Sequence, residues 1–238
     1  SPPAHISGDG VIWKDEDLLT VRESRMREVR GGEIAMIFQD PLTALNPVHT
    51  VGRQIAEMVR LHTDATRKQA WARAVETLGL VGIPQPAERA DMHPHEFSGG
   101  MRQRAMIAMA ISCNPDLLIA DEPTTALDVT VQAQVLDVLL DIKSEIDSAI
   151  VLITHDLGVV AGLADRVMVM YGGRVVETGD AREVFYHTEH PYTAGLLASL
   201  PRLDTVGDQL LKPIRGAPPS LLKLPPGCAF HPRCDLSD

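Results

Sequence analysis

Four short apolar runs, AMIF at 35–38, LLIA at 117–120, IVLIT at 150–154 and VMVM at 167–170, alternate along the chain with segments of helical periodicity. Strands buried on both faces read as unbroken apolar runs, so the alternation predicts an α/β fold on a mostly parallel sheet. Between the first and second run lies a long helical insert. VGRQIAEMVRLH is followed by TRKQAWARAVETLGL, which carries Ala70, Trp71, Ala74, Val75 and Leu78 on one stripe and Gly79 near its end. After VMVM, the pair Gly172-Gly173 suits the positive φ of a tight hairpin turn into RVVETG at 174–179, which we read as the end of the sheet. From His190 onward prolines accumulate (HPYT, GAPPS, LPPGCAFHPRC), donors are lost, and regular structure is not expected.

Composition narrows the function classes. A hydrophobic content of 45% over 238 residues can fill a core. The net charge of −10 argues against binding nucleic acid through a broad basic face, and no nucleic-acid partner is expected. The longest apolar runs, such as AMIAMAI at 105–111, fall far short of a membrane span. SPPAHISGDG has neither the pattern of a secretory leader nor an initiator Met, and it reads as a start inside a longer chain. Three cysteines, Cys113, Cys228 and Cys234, are too few and too unevenly placed for a disulfide framework, which favours a reducing compartment. Cys113 is expected to be a small buried residue.

The chemistry concentrates in LLIADEPTTALD, residues 117–128. Asp121 and Glu122 follow an apolar strand and emerge at its carboxyl end, where open α/β sheets place ligands. One carboxylate can hold Mg²⁺ while its neighbour orients water; taken alone, the pair also reads as an acidic loop opening. Upstream, SGGMRQR at 98–104 opens a helical run. Ser98 can cap that helix, and Gly99 and Gly100 let a phosphate approach bare N–H groups at the positive end of the helix dipole. About thirty residues past Glu122, ITHD puts His155 just beyond another strand, within reach of a phosphate oxygen. Alone, the Ser-Gly-Gly is a loop and the histidine a structural residue; the ordered set is more specific than any member.

In that order the motifs resemble those of ABC transporter ATP-binding subunits: FQDP with the Gln-loop residue Gln39, FSGGMRQR as the signature, LLIADEP as Walker B, TALD with the D-loop Asp128, and ITHD with the switch His155. IFQDPLTALNP, HPHEFSGGMRQRAMIAMAI, LITHDLGVVAGLADRVMVMYGG, HPYTAGLL and the tail PPGCAFHPRC resemble the oligopeptide and dipeptide importer branch. The resemblance implies a P-loop NTPase (RecA-like) core with a parallel sheet and a helical subdomain insert. It divides the chain into core residues 1–44, a helical subdomain 45–112, core 113–189 and a Pro-rich extension 190–238 of the peptide-importer type, which reads as lacking its end. It implies ATP and Mg²⁺ as cofactors. Asp121 would hold Mg²⁺ and Glu122 polarise the attacking water. Gln39 would sense the γ-phosphate and Mg²⁺, and His155 contact the γ-phosphate, while Ser98, Gly99 and Gly100 would close on nucleotide held by a second ABC ATPase subunit. The implied partners are transmembrane permease subunits and, through the complex, an extracytoplasmic peptide-binding protein; the implied place is the cytoplasmic face of the bacterial inner membrane. Phe97 and Met101, where Leu and Gln are commoner, suit the peptide branch.

One expected motif is absent. The five lysines, Lys14, Lys68, Lys143, Lys212 and Lys223, are never preceded by glycine, so the sequence holds no Gly-x-x-x-x-Gly-Lys-Ser/Thr. SPPAHISGDGVIWKDEDLL resembles the family segment just downstream of that loop, at the sheet's edge, so the chain reads as a fragment truncated at its N-terminus and inactive alone. Cys228 and Cys234, spaced C-x5-C, read as two reduced thiols rather than as the remnant of an iron–sulfur site. Alternatives sharing these motifs are an importer of nickel or another small solute, a non-transport ABC ATPase, and a non-catalytic pairing module.

Overall fold

The structure, a computed structural model, describes residues 8–125, 127–146, 148–199 and 213–237. The start of SPPAHISGDGVIWKDEDLL and residues 200–212 of the extension lie outside the described residues. Packing divides the chain into two units, Ser1–Ile153 and Thr154–Asp238. In order, the first holds strands β1 (Ile12–Trp13) and β2 (Glu16–Asp17), helix α1 (Glu23–Glu28), strand β3 (Ile34–Ile37), helices α2 (Pro41–Ala44), α3 (Val51–His62), α4 (Arg67–Leu80), α5 (Pro86–Arg89) and α6 (Gly99–Ile111), strand β4 (Leu117–Asp121), helix α7 (Val129–Glu145) and strand β5 (Ala149–Ile153). The second holds helix α8 (Leu157–Leu163), strands β6 (Arg166–Tyr171) and β7 (Arg174–Asp180), and helices α9 (Ala181–Tyr186) and α10 (Pro191–Ala198).

The predicted parallel sheet forms in the first unit. β4 lies between β3 and β5 and pairs in parallel with both, with Ile37 opposite Ala120 and Asp121 opposite Ile153. Its inner residues Leu118 and Ala120 are fully buried.

The insert packs as a helical layer in which α3 and α4 lie against each other and against α6. Val51, Ile55 and Val59 of α3 and Ala70, Ala74 and Leu78 of α4 are buried, with Trp71 and Val75 half-buried against the same core. Each large buried aliphatic side chain contributes about 1.5–3 kcal/mol through removal from water. A capping box starts α4: Gln69 N donates to Thr66 Oγ1 at 3.4 Å and Thr66 N to Gln69 Oε1 at 2.9 Å. The helix passes through Gly79 and ends at Leu80, and the positive φ that turns the chain belongs to Gly82 (φ 71°). Gly79 is thus the penultimate helical residue, near the end of the helix as the sequence suggested. At the start of α3, the unpaired donors of Val51 and Gly52 find Met92 O (2.9 Å) and Ala90 O (2.8 Å).

In the second unit, β6 and β7 form the hairpin expected from Gly172-Gly173, whose φ values are 57° and 76°. Among the described residues these strands pair only with each other, so the hairpin is a two-stranded sheet of its own rather than the end of the parallel one. The expectation of irregular structure after His190 is corrected by α10. Pro191 sits at the first helical position, where its missing N–H costs nothing, and His190 Nδ1 accepts from Tyr192 N at 3.1 Å. The Pro-rich tail is held by Arg233, which donates to Arg215 O (2.8 Å), Ile214 O (3.2 Å) and the Tyr171 hydroxyl (3.2 Å), beside a cluster of Tyr171, Tyr192 and Phe230.

A polar cluster fastens the β1–β2 hairpin to the first unit. Glu33 accepts from Trp13 Nε1 at 2.9 Å and pairs with Lys14 at 3.2 Å and with Arg25; Lys14 also reaches Asp116 at 2.8 Å, and Arg25 reaches Glu16 at 2.8 Å. The Arg25 guanidinium, then the Trp13 indole, hold the Glu33 carboxyl down at about 2 against an ordinary 4.5. A depressed carboxylate stabilises the fold above its ordinary value and loses that contribution as pH falls toward the folded value. Glu33→Gln is therefore expected to lower stability by about 1–2 kcal/mol at neutral pH. Urea unfolding at a series of pH values should show the two proteins converging between about 4.5 and 2; a gap independent of pH would contradict this.

Candidate active site

Parallel pairing sends the ends of β3, β4 and β5 to one edge of the sheet, and the sequence places a polar residue just past two of them. Gln39 lies two residues beyond β3 and Glu122 one beyond β4. They meet across 83 positions: Gln39 Nε2 donates to Glu122 Oε2 at 2.9 Å. The same oxygen accepts from Thr125 Oγ1 at 2.8 Å. Glu122 N continues the β4–β5 ladder to Ile153 O (2.9 Å), after which the backbone enters the left-handed region, φ 45°. A glutamate there carries strain of about 1–2 kcal/mol and is held by its surroundings. Here those are the ladder bond, buried Pro123, and a β-turn closed by Thr125 N to Glu122 O at 3.1 Å. Asp121 is the last residue of β4, half-buried, beside this turn in sequence.

The Ser-Gly-Gly segment takes its predicted local form. Ser98 caps α6, its Oγ accepting from Met101 N at 3.3 Å, and Gly99 and Gly100 are the first two helical residues. What they pack on lies further along the chain. A Cβ at Gly100 would stand 2.4 Å from Val131 Cγ1, and one at Gly99 would touch Leu127 at 4.0 Å. Val131 is tied to Asp128, which caps α7 through Val131 N to Asp128 Oδ1 at 2.9 Å. The structure thus brings Gln39 to Glu122, and Gly99 and Gly100, at the start of the helix Ser98 caps, to the residues around the Asp128 cap. His155 belongs to the second unit and is exposed between Thr154 and Asp156; Asp156 caps α8 through Gly158 N (2.9 Å) and Val159 N (3.4 Å).

Cys228 is exposed and Cys234 half-buried, and among the described residues no group of three or more His, Cys, Asp or Glu is placed to hold a metal ion. Cys113 is half-buried rather than fully enclosed, with Sγ 3.7 Å from Met58 O, and burial pushes its thiol up. Two functional groupings escaped the sequence reading. Thr125 was one residue of a motif with no role of its own; its signal was a hydroxyl three residues after a glutamate across a Pro-containing turn. The Gly100–Val131 contact carried no signal short of the helix packing.

Residues 5–125 match the family described as ABC transporter, and residues 176–238 match the one described as oligopeptide/dipeptide transporter, C-terminal region. The chain belongs to the ABC transporter family, in its oligopeptide/dipeptide branch. It is 55% identical over 229 residues to the oligopeptide transport ATP-binding protein OppD of Bacillus subtilis, covering 96% of this chain and 64% of that one. It is 53% identical over 235 residues to the dipeptide transport ATP-binding protein DppD of the same organism, covering 98% and 70%. The chain thus spans about two thirds of these relatives' length. Among solved structures, cbiO1 from Clostridium perfringens, part of the ABC transporter complex cbiONQ, aligns with a TM-score of 0.63 at 27% identity over 74% of this chain and 68% of its own. The ATP-binding cassette MJ0796, dimeric and bound to ADP and Pi, aligns with a TM-score of 0.63 at 24% identity over 71% and 72%, a likeness of fold. In this ABC transporter chain, no helix among the described residues is long and apolar enough to cross a membrane.

The packing at Gly100 gives a direct test. Glycine to alanine inside a helix ordinarily stabilises by about 0.5–1 kcal/mol. At Gly100 the new methyl meets a stiff β-branched side chain at the start of α7, so Gly100→Ala should instead cost about 1–2 kcal/mol. Gly100→Ala combined with Val131→Ala should recover most of that loss relative to Val131→Ala alone, measured by urea unfolding. Equal costs of Gly100→Ala in both backgrounds would show that the two residues do not meet.

Proposed function

We propose that this chain is part of the ATP-binding and ATP-hydrolysing motor subunit of an oligopeptide or dipeptide importer. The observation that carries the reading is the pairing of Gln39 with Glu122 at the carboxyl end of a parallel sheet, directly after the β4 carboxylate Asp121. Glu122, half-buried and oriented by two donors to one oxygen, suits a base that takes or orients the proton of a water attacking the γ-phosphate. Mg²⁺ prefers oxygen ligands and is commonly held by one or two carboxylates plus phosphate oxygens, which matches Asp121 and the Gln39 amide oxygen. When bound, the ion would supply positive charge to the phosphate oxygens. His155 is assigned a hydrogen bond to the γ-phosphate, and Asp128 a place at the contact between two copies of the cassette.

Ser98, Gly99 and Gly100 present a capped helix N-terminus to a nucleotide held by a second ABC ATPase subunit, so each hydrolysis site draws on two chains. The helical layer of α3, α4 and α6 would dock on transmembrane permease subunits, with an extracytoplasmic peptide-binding protein joined through the complex, at the cytoplasmic face of the membrane. The names of the oligopeptide and dipeptide transport relatives support the peptide substrate.

Backbone amides and the lysine of the phosphate-binding loop supply much of the ground-state grip on ATP, and this sequence lacks that motif. By calorimetry the 238-residue chain should therefore bind ATP weakly; micromolar affinity would contradict the assignment. With a phosphate-binding strand and loop joined upstream of Ser1, Glu122→Gln should retain ATP binding and lose turnover by about 10² or more. Turnover like the parent's would show that Glu122 has another role.

A further inference from the structure

Among the donors that reach the Glu122 carboxylate are Gln39, already given a role, and Thr125, which has none. Gln39 reaches Oε2 from the end of β3. Thr125 reaches the same oxygen from within the turn that follows β4. The turn does not need the hydroxyl to close, since Thr125 N already bonds Glu122 O at 3.1 Å and Pro123 fixes its first corner. The hydroxyl therefore acts on the side chain of Glu122 rather than on the path of the backbone. We infer that Thr125 is a positioning residue, its γ-hydroxyl fixing the plane and rotamer of the Glu122 carboxylate against which the attacking water is set. The inference rests on the proposed role of Glu122 and adds a residue to it.

Two donors on one carboxylate oxygen define its position more closely than one would. A glutamate side chain turns about three bonds, and a single donor leaves the carboxylate free to rotate about the axis of that contact. A second donor, fixed to a different element, narrows that rotation. The two donors are of different kinds: Gln39 stands on a loop after β3, exposed, whereas half-buried Thr125 stands on the same turn as the carboxylate it holds. Thr125 also lies three residues before Asp128, the cap of α7, whose Val131 packs over Gly100. The carboxylate is in this way joined, through three residues of chain and then the Asp128–Val131 and Val131–Gly100 contacts, to the start of α6. The threonine hydroxyl is the link in that chain that touches Glu122.

Thr125→Val keeps the shape and branching of the side chain and removes the donor, whereas Thr125→Ser keeps the donor and removes a methyl group. In the chain joined upstream to a phosphate-binding strand and loop, Thr125→Val is expected to lower kcat about tenfold while KM for ATP stays within about twofold, since the lost bond is to the base and not to the nucleotide. Thr125→Ser is expected to keep kcat within about threefold of the parent. Parent-like kcat in Thr125→Val, an equal fall in both variants, or a loss confined to KM would overturn the inference. Parallel assay of Glu122→Gln separates the two claims. Parent-like turnover there removes the role of Glu122 and the inference with it, whereas a silent Thr125→Val beside an inactive Glu122→Gln overturns the inference alone. Side-chain amide NMR of Gln39 in the 238-residue chain supplies a readout independent of turnover. Because Gln39 and Thr125 share Oε2, the Gln39 Nε2 signal should move in Thr125→Val and return in Thr125→Ser; a signal unmoved in both would overturn it.

Discussion

The site in this chain depends on one constraint: β4 pairs in parallel with β3 on one side and β5 on the other. Parallel neighbours end at the same edge, so residues placed just past two strands by sequence positions 83 apart arrive within a hydrogen bond of each other. An antiparallel β3 would have carried Gln39 to the opposite edge. The ladder bond from Glu122 N to Ile153 O extends the pairing by one residue, and that residue pays in backbone strain, with φ at 45°. A local conformation this uncommon for glutamate is sustained because strand pairing, a buried proline and a closed turn all fix it together.

The helical layer imposes a second constraint on the same machinery. α6 runs through the core, with Ala105, Met106, Ile107, Ala108 and Ile111 buried, so the position of its N-terminus is set by packing along its length. Glycine at its second residue lets Val131 approach more closely than any Cβ would permit. The capped N-terminus of α6 and the capped N-terminus of α7 are consequently built as one contact. Substitutions at either should be felt at the other through volume rather than charge.

Much of this was legible in the sequence because it depends on local pattern. The four apolar runs became strands within a residue or two of their expected bounds, the helix stripe of Ala70, Ala74 and Leu78 is buried, and Ser98 caps the helix it precedes. Gly79, placed near the end of its helix by pattern, is the penultimate residue of α4, and the left-handed turn follows at Gly82. The misreading was also local in origin. HPYT read as irregular because proline was counted as a breaker, although at the first helical position it is a starter. What the sequence did not carry is long-range: Glu33 gathering Trp13, Lys14 and Arg25, Val131 lying over Gly100, and Thr125 sharing an oxygen with Gln39. Such partners are chosen by the packed fold, and no spacing rule in the chain announces them.

The central claim is that Glu122 and the Ser98-Gly99-Gly100 turn of one chain serve different nucleotides. Mixing two inactive variants of the chain carrying an added phosphate-binding loop tests it most directly: Glu122→Gln, which removes the base, and Gly99→Asp, which puts a negative charge and a side chain at the helix N-terminus. If the turn acts on a partner's nucleotide, a mixed pair holds one site with both defects and one with neither. The mixture should then recover ATPase activity to roughly a quarter of the unmodified rate under random pairing. If the mixture stays as inactive as its components while mixed pairs are shown to form, the turn belongs to its own chain's site and the account is contradicted.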